Sequence, residues 1–280
     1  MNKILILSFL YENNICLRQF ELLKNHYNKL IDFYKLPISY YGVRATQNGE
    51  TRIDEDNQII WLHSNNVNQY DKKLFFKVID CFKFIKDEDF EVVLKTNTST
   101  LINIFYTNKI IQETNFCKDG LVVGLCLFNC YLGYERYNMH IGNYMTFTKY
   151  DIDYILNYDM NEVYENYKKQ YYDWSNMYMA DDILLSYIIT KNNRNFYNYG
   201  CLRLSESDDD PIHHEMLINI EDILKVPCVT LKDYNRLKND YSQEKVDSCS
   251  IEIAIMKIFI NYIESIYIKD RKIITTGIAF

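Results

Sequence analysis

FEVVLKTNTSTLIN, residues Phe90 to Asn103, decides how the rest of the chain is read. It begins as a buried strand does, with Phe90, Val92, Val93 and Leu94 in a short β-rich apolar run. The polarity then switches through Lys95-Thr96-Asn97-Thr98-Ser99-Thr100 before Leu101 and Ile102 restore it. In α/β proteins ligands gather beyond the carboxyl ends of the strands, so a polar run at that place is a candidate site. The same run also reads as a strand-to-helix turn with Thr98 or Ser99 as an N-cap.

Outward from that stretch, short apolar runs alternate with longer periodic ones. Lys3 to Leu10, Pro37 to Val43, Ile59 to Leu62 and Leu121 to Tyr131 read as strands, with Arg44 in a polar loop after the second. Ile15 to Tyr34, Tyr70 to Phe84 and Asn103 to Thr114 read as helices; Leu17, Phe20, Leu23, Tyr27, Leu30 and Ile31 of the first keep a helical period. Asp151 to Tyr158, Met160 to Tyr171, Asp181 to Lys191 and Ser248 to Tyr267 continue as helices. Strands separated by helices in this order favour a mostly parallel sheet covered by helices. With 3 Pro, 8 Gly and no internal repeat, there is no linker, and residues 1–280 are expected to form a single domain.

The bulk numbers narrow the class. A chain 48% hydrophobic and 25% charged has the composition of a globular protein with a real core. A net charge of -7 argues against general nucleic-acid binding, which needs a basic face. The 8 Cys include no CxxC pair and sit mostly in apolar runs, as reduced small hydrophobes do. No run is long and apolar enough to span a membrane, and KILILSFL at the N-terminus reads as a first strand, not a signal segment. The expected location is the cytoplasm.

Three segments stand out together: Lys95 to Asn103, Gly142-Asn143-Tyr144-Met145-Thr146-Phe147-Thr148, and Met179-Ala180-Asp181-Asp182-Ile183-Leu184-Leu185. In order and spacing they resemble the β-1,3-glycosyltransferase family with the GT-A fold, especially its divergent relatives in large DNA viruses and bacteria. That family carries Lys-Thr-Asp-Asp-Asp-x-φ-φ-Asn at the end of a strand, where φ is apolar. Here Lys95, Thr96 and Asn103 match, and Asn97, Thr98 and Ser99 stand where the aspartates would be. Leu74 to Lys77 meets the family's Leu-x-x-Lys, Asp181-Asp182-Ile183 its acidic loop entering a helix, and Arg236-Leu237-Lys238 a basic stretch near the C-terminus. The resemblance covers most of the chain. It implies an α/β, GT-A (Rossmann-like) fold with a central, mostly parallel sheet flanked by helices.

What the resemblance implies for function is transfer of a sugar from a nucleoside diphosphate sugar, with UDP expected, to a hydroxyl of a glycan or glycoprotein. For a viral protein the setting would be the host cytoplasm. Such a transfer needs a base for the acceptor hydroxyl, compensation for the leaving diphosphate, and orientation. Asp182 is the candidate base with Asp181 second, and the implied outcome is inversion. Lys77, Lys95, Thr96, Asn97, Thr98, Ser99, Arg236 and Lys238 are the candidate donor-binding residues; Gly142, Trp174 and His140 are candidates for the acceptor side. The departure is at the metal: Mn²⁺ and Mg²⁺ prefer carboxylates, and Asn97, Thr98 and Ser99 offer only neutral oxygens. The alternative is a catalytically decayed sugar- or nucleotide-binding protein of the same fold.

Plainer readings stand beside these. Asp181 and Asp182 also suit a helix N-terminus electrostatically. Arg236 and Lys238 also read as a solvated face. His213-His214 invites a metal, but adjacent side chains point apart. The aromatic run Tyr164 to Tyr178 suits either sugar stacking or an ordinary domain rim.

Overall fold

The computed structural model describes residues 3–10, 14–64, 74–113, 121–132, 134–170, 181–192, 195–198, 202–203, 215–216, 220–230 and 243–269. They form two compact units threaded by the same chain. Residues 1–12, 39–97 and 111–199 make the first, and residues 13–38, 98–110 and 200–280 the second.

The first unit is α/β. Its strands are β1 (Ile4–Phe9), β2 (Ile38–Thr46), β3 (Arg52–Asp54), β4 (Ile59–His63), β5 (Val92–Asn97), β7 (Leu121–Leu132), β8 (Glu135–Thr148) and β9 (Asn195–Asn198), leaving β6 to the second unit. They lie in one sheet in the order β3-β4-β2-β1-β5-β8-β7-β9. The pairs β1–β5, β2–β4 and β7–β9 are parallel; β3–β4, β5–β8 and β7–β8 are antiparallel. The expected parallel sheet is therefore present at the centre, with β8 running against β5.

One face of this sheet carries the core. Leu5, Leu7 and Phe9 of β1, Val93 of β5 and Phe147 of β8 pack with four helices: α2 (Leu74–Ile85), α4 (Lys149–Asn157), α5 (Met160–Gln170) and α6 (Asp181–Lys191). Phe82 meets Phe147 edge-on at 5.2 Å between ring centroids, a geometry that adds to burial. Helix α6 is buried nearly all round, from Leu184 through Ile189, so it carries no single apolar stripe. Helix α4 starts where β8 stops. The Thr148 hydroxyl accepts the Asp151 N–H, and the Asp151 carboxylate accepts the Thr148 N–H. This reciprocal cap satisfies two helix-end donors and fixes the strand's last residue.

The second unit holds α1 (Asn14–Tyr34), α3 (Ile104–Glu113), α7 (Gln243–Glu264) and a small sheet of β6 (Thr100–Ile102), β10 (Leu202–Arg203), β11 (Glu215–Met216) and β12 (Cys228–Thr230). Its order is β11-β10-β12-β6, and β6 pairs antiparallel with β12. Of the stripe read from its period, helix α1 buries Phe20, Leu23, Tyr27 and Leu30, while Leu17 and Ile31 are half-buried; Gln19 and His26 are buried with them. The Tyr27 hydroxyl accepts the Ile102 N–H at 2.8 Å. His26 Nδ1 lies 3.1 Å from Glu264, to which Lys29 is also paired. Burial pushes the His26 imidazole below its ordinary value, and the hydrogen bond from His26 draws Glu264 down to about 2.

Several local readings change. Arg44 belongs to β2, not to a loop, because β2 runs on to Thr46 against β4. Its guanidinium sits 4.7 Å from the Trp61 ring, opposite it in the register. Lys95-Thr96-Asn97 continues β5, since β1 and β8 give this segment strand partners on both sides. The Thr98-Ser99 turn is followed by strand β6 before α3 begins. Among the described residues no helix is long and apolar enough to cross a membrane.

Candidate functional site

The site is built at the carboxyl end of β5. Successive strand residues point to opposite faces, so Val93 and Lys95 share the core face. Lys95 stands beside Leu7 of β1 and Met145 of β8 in the register, with its ammonium 5.8 Å from the centre of the Phe9 ring. Only 4% of its surface is exposed. An ammonium at that depth needs an anion and hydrogen-bond acceptors. It has both: the Asp181 carboxylate, with which it forms an ion pair, and the Gly142 carbonyl, to which it donates at 3.1 Å.

Helix α6 supplies the anion because it opens with Asp181-Asp182. Asp181 is buried, and Asp182 is half-buried. Both oxygens of Asp182 are held by backbone donors. The Gly142 N–H donates to Oδ2 at 3.3 Å, and the Ile183 N–H donates to Oδ1 at 2.9 Å. Gly142 thus binds Lys95 through its carbonyl and Asp182 through its amide. A Cβ at this position would lie 3.3 Å from Asp182 Cβ, 3.4 Å from its Oδ2 and 3.5 Å from Lys95 Nζ. Glycine suits this close approach, because a Cβ would press on both charged side chains.

The electrostatics separate the two carboxylates. Asp181 has the ammonium as its direct partner. Burial, and then the neighbouring Asp181 charge, raise the Asp182 pKa above its ordinary value; Lys95 and the two N–H groups oppose this without cancelling it. A half-buried carboxylate with a raised pKa is a proton acceptor stronger than an exposed aspartate.

The other sequence-derived candidates divide. Thr96 is buried on the opposite side of β5 from Lys95, with its hydroxyl 3.4 Å from the Asn97 carbonyl. Lys77 on α2 is buried and donates to the Leu10 carbonyl at 3.0 Å. Asn97 ends β5 half-buried, and Ser99 is half-buried in the turn. Thr98 points inward, 1% exposed, and donates to Gln19 of α1 at 3.0 Å. Asn103 caps α3: its Oδ1 accepts the Tyr106 N–H at 3.1 Å, and its Nδ2 donates to the Ile223 carbonyl at 3.2 Å. His140 lies in β8 opposite Cys126, its side chain outside the described residues. Trp174, Arg236, Lys238, His213 and His214 also lie outside them. Gln19 and its partner Glu252 were missed in the sequence; the available signal was a polar residue within each helix's apolar stripe.

The donor set does not fit a hard divalent cation. Asn97 and Ser99 offer neutral oxygens, the Thr98 hydroxyl is directed to Gln19, and Asp181 is charge-matched by Lys95. Among the described residues no three His, Cys, Asp or Glu side chains cluster as metal ligands do.

No family model and no curated protein matches the sequence. Among solved structures, the chain is similar to a glycosyltransferase involved in the glycosylation of the major capsid of PBCV-1. That likeness has a TM-score of 0.45 at 10% identity and covers 90% of this chain and 99% of that one. It is also similar to mouse xyloside xylosyltransferase 1 in its apo form, with a TM-score of 0.43 at 8% identity over 82% and 97% of the two chains. A third likeness, to a protein described as a nucleotide-diphospho-sugar transferase from Desulfovibrio desulfuricans G20, has a TM-score of 0.38 at 8% identity over 94% and 98%.

Proposed function

We propose that the protein is a GT-A-like glycosyltransferase that moves a sugar from a nucleoside diphosphate sugar, expected to be a UDP-sugar, to a hydroxyl of a glycan or glycoprotein. The observation that carries this reading is the Lys95–Asp181–Asp182 cluster gathered on Gly142 at the carboxyl end of a central strand. The motif resemblance, which runs through the same residues, supports it. Asp182 is the base. It takes the acceptor's proton as the acceptor oxygen bonds to the anomeric carbon. The bond from that carbon to the diphosphate breaks, the electron pair leaves with the phosphate, and the configuration inverts. Lys95 holds Asp181 in place through their ion pair. The diphosphate's countercharge is then assigned to Arg236 and Lys238, Arg being well shaped for phosphate. Asn97 and Ser99 are assigned hydrogen bonds to the ribose or the sugar.

The second reading is a protein of the same fold that binds a sugar nucleotide without turning it over; the neutral set at Asn97, Thr98 and Ser99 favours it. A thermal-shift screen of the purified chain against UDP, GDP, CMP and their sugars, each with Mn²⁺ and with EDTA, tests both. Ligand at about 100 times its dissociation constant adds roughly 2.7 kcal/mol. Stabilisation by one nucleotide family, with sugar transfer or donor hydrolysis that Asp182→Asn abolishes, supports the transferase. Stabilisation without turnover supports the binding protein. No stabilisation by any nucleotide sinks both.

A further inference from the structure

A buried polar relay reaches the turn after β5 from the far end of the sequence. The Thr98 hydroxyl donates to Gln19 Oε1 at 3.0 Å, and Gln19 Nε2 lies 3.1 Å from Glu252 Oε2. Thr98, Gln19 and Glu252 are 1%, 2% and 4% exposed. They come from the turn, from α1 and from α7, and the two links span 79 and 233 residues of sequence.

The chemistry of the relay fixes its direction. A carboxylate only accepts, so the amide of Gln19 presents its Nε2 to Glu252. That leaves Oε1 for Thr98, whose hydroxyl must then donate inward. Apolar residues of the same volume would fill such a place without the cost of burying polar groups, and often with no loss of stability. What they would not supply is a defined rotamer for Thr98. The next residue, Ser99, completes the two-residue turn and is half-buried.

We propose that Glu252, acting through Gln19 and Thr98, is a positioning residue for the Thr98-Ser99 turn and sets how Ser99 meets the sugar nucleotide. This rests on the transferase or binding reading above. Glu252→Gln is isosteric but places a second amide beside Gln19, so either group can donate and the relay loses its fixed direction. Thr98→Val removes the hydroxyl at constant shape, and Thr98→Ser restores it.

The test is calorimetric titration of the full chain with UDP, GDP and CMP, alongside melting temperatures. Relative to wild type, Glu252→Gln and Thr98→Val are expected to bind the preferred nucleotide about tenfold more weakly. Thr98→Ser is expected to stay within about twofold, because it keeps the donor. If turnover is present, the loss falls on the donor KM and leaves kcat nearly unchanged. Nucleotide affinity unchanged in both Glu252→Gln and Thr98→Val overturns the inference, whatever their melting temperatures, because the relay is then purely structural. Equal weakening in Thr98→Ser and Thr98→Val also overturns it. Wild-type protein that binds none of the nucleotides fails at the earlier step and overturns the functional reading together with this one.

Discussion

Lys95 and Asp181 neutralise one another inside the protein, with 4% and 7% of their surfaces exposed. Removing one partner of such a pair leaves an uncompensated buried charge, which costs about 3–5 kcal/mol. Lys95→Met is therefore expected to lower the unfolding free energy by about 3–5 kcal/mol, seen as a lower urea midpoint at an unchanged slope. Adding Asp181→Asn should recover most of the loss. A single Lys95→Met variant within about 1 kcal/mol of wild type would mean that the carboxylate is relieved another way.

The pH response of Asp182 has a definite sign. Its folded pKa is raised above the ordinary 3.8, so folding favours the protonated form. That contribution to stability is fully present below 3.8 and is lost as pH rises through the folded value. Asp182→Asn should therefore gain in stability relative to wild type as pH rises from strong acid toward neutrality. The acid limb of kcat/KM should lie above the ordinary aspartate range and move higher still in Lys95→Met, because Lys95 opposes the upward shift. Unfolding curves and rate profiles across that range decide it; an acid limb at the ordinary aspartate value would remove Asp182 as the base.

Gly142→Ala places a methyl 3.3 Å from Asp182 Cβ and 3.5 Å from Lys95 Nζ. Overpacking of this kind costs about 1–3 kcal/mol. The cheapest relief is to turn one of the two charged side chains away. Turnover should consequently fall by roughly tenfold to a hundredfold, from misplacement of the reacting group. A variant with wild-type turnover would show that the space left by the missing side chain at Gly142 does not set Asp182. Melting temperature and kcat measured on one preparation separate the two effects.

Asn103 closes the motif that drew attention to β5, and its observed work is structural. It caps α3 through the Tyr106 N–H and ties that corner to the Ile223 carbonyl. Losing the cap costs about 1 kcal/mol, and an orphaned buried polar group adds roughly 1–3. Asn103→Ala should lose about 2–4 kcal/mol in urea unfolding. Asn103→Asp keeps the acceptor for Tyr106 and should lose less. Equal losses in the two variants would mean that the cap contributes little.

The long periodic elements were legible in the sequence. Helix α6 runs from Asp181 to Lys191 as read, and α1 buries Phe20, Leu23, Tyr27 and Leu30 of the stripe its period marks, with Leu17 and Ile31 half-buried at its edges. The small sheet was not legible: β6, β10, β11 and β12 are two or three residues long and carry no period of their own. β6 exists because Cys228–Thr230 pairs with it from far along the chain. The site was legible as residue types: Lys95, Gly142, Asp181 and Asp182 were all singled out. The ion pair between Lys95 and Asp181 was not, because no spacing in the sequence announces which cation meets which carboxylate. Nor was the inward turn of Thr98, which depends on Gln19 and Glu252.

The pairing of α1 with the last helix bears on how the protein is made. Gln19, His26 and Tyr34 leave the ribosome well before their partners Glu252, Glu264 and Tyr267, which follow 233 to 238 residues later. Until then α1 exposes an apolar face studded with polar groups whose acceptors do not exist. At about 5–20 residues per second, that interval lasts on the order of ten seconds to a minute. During it α1 lacks these partners, so its final packing is completed only after Glu252, Glu264 and Tyr267 have been made.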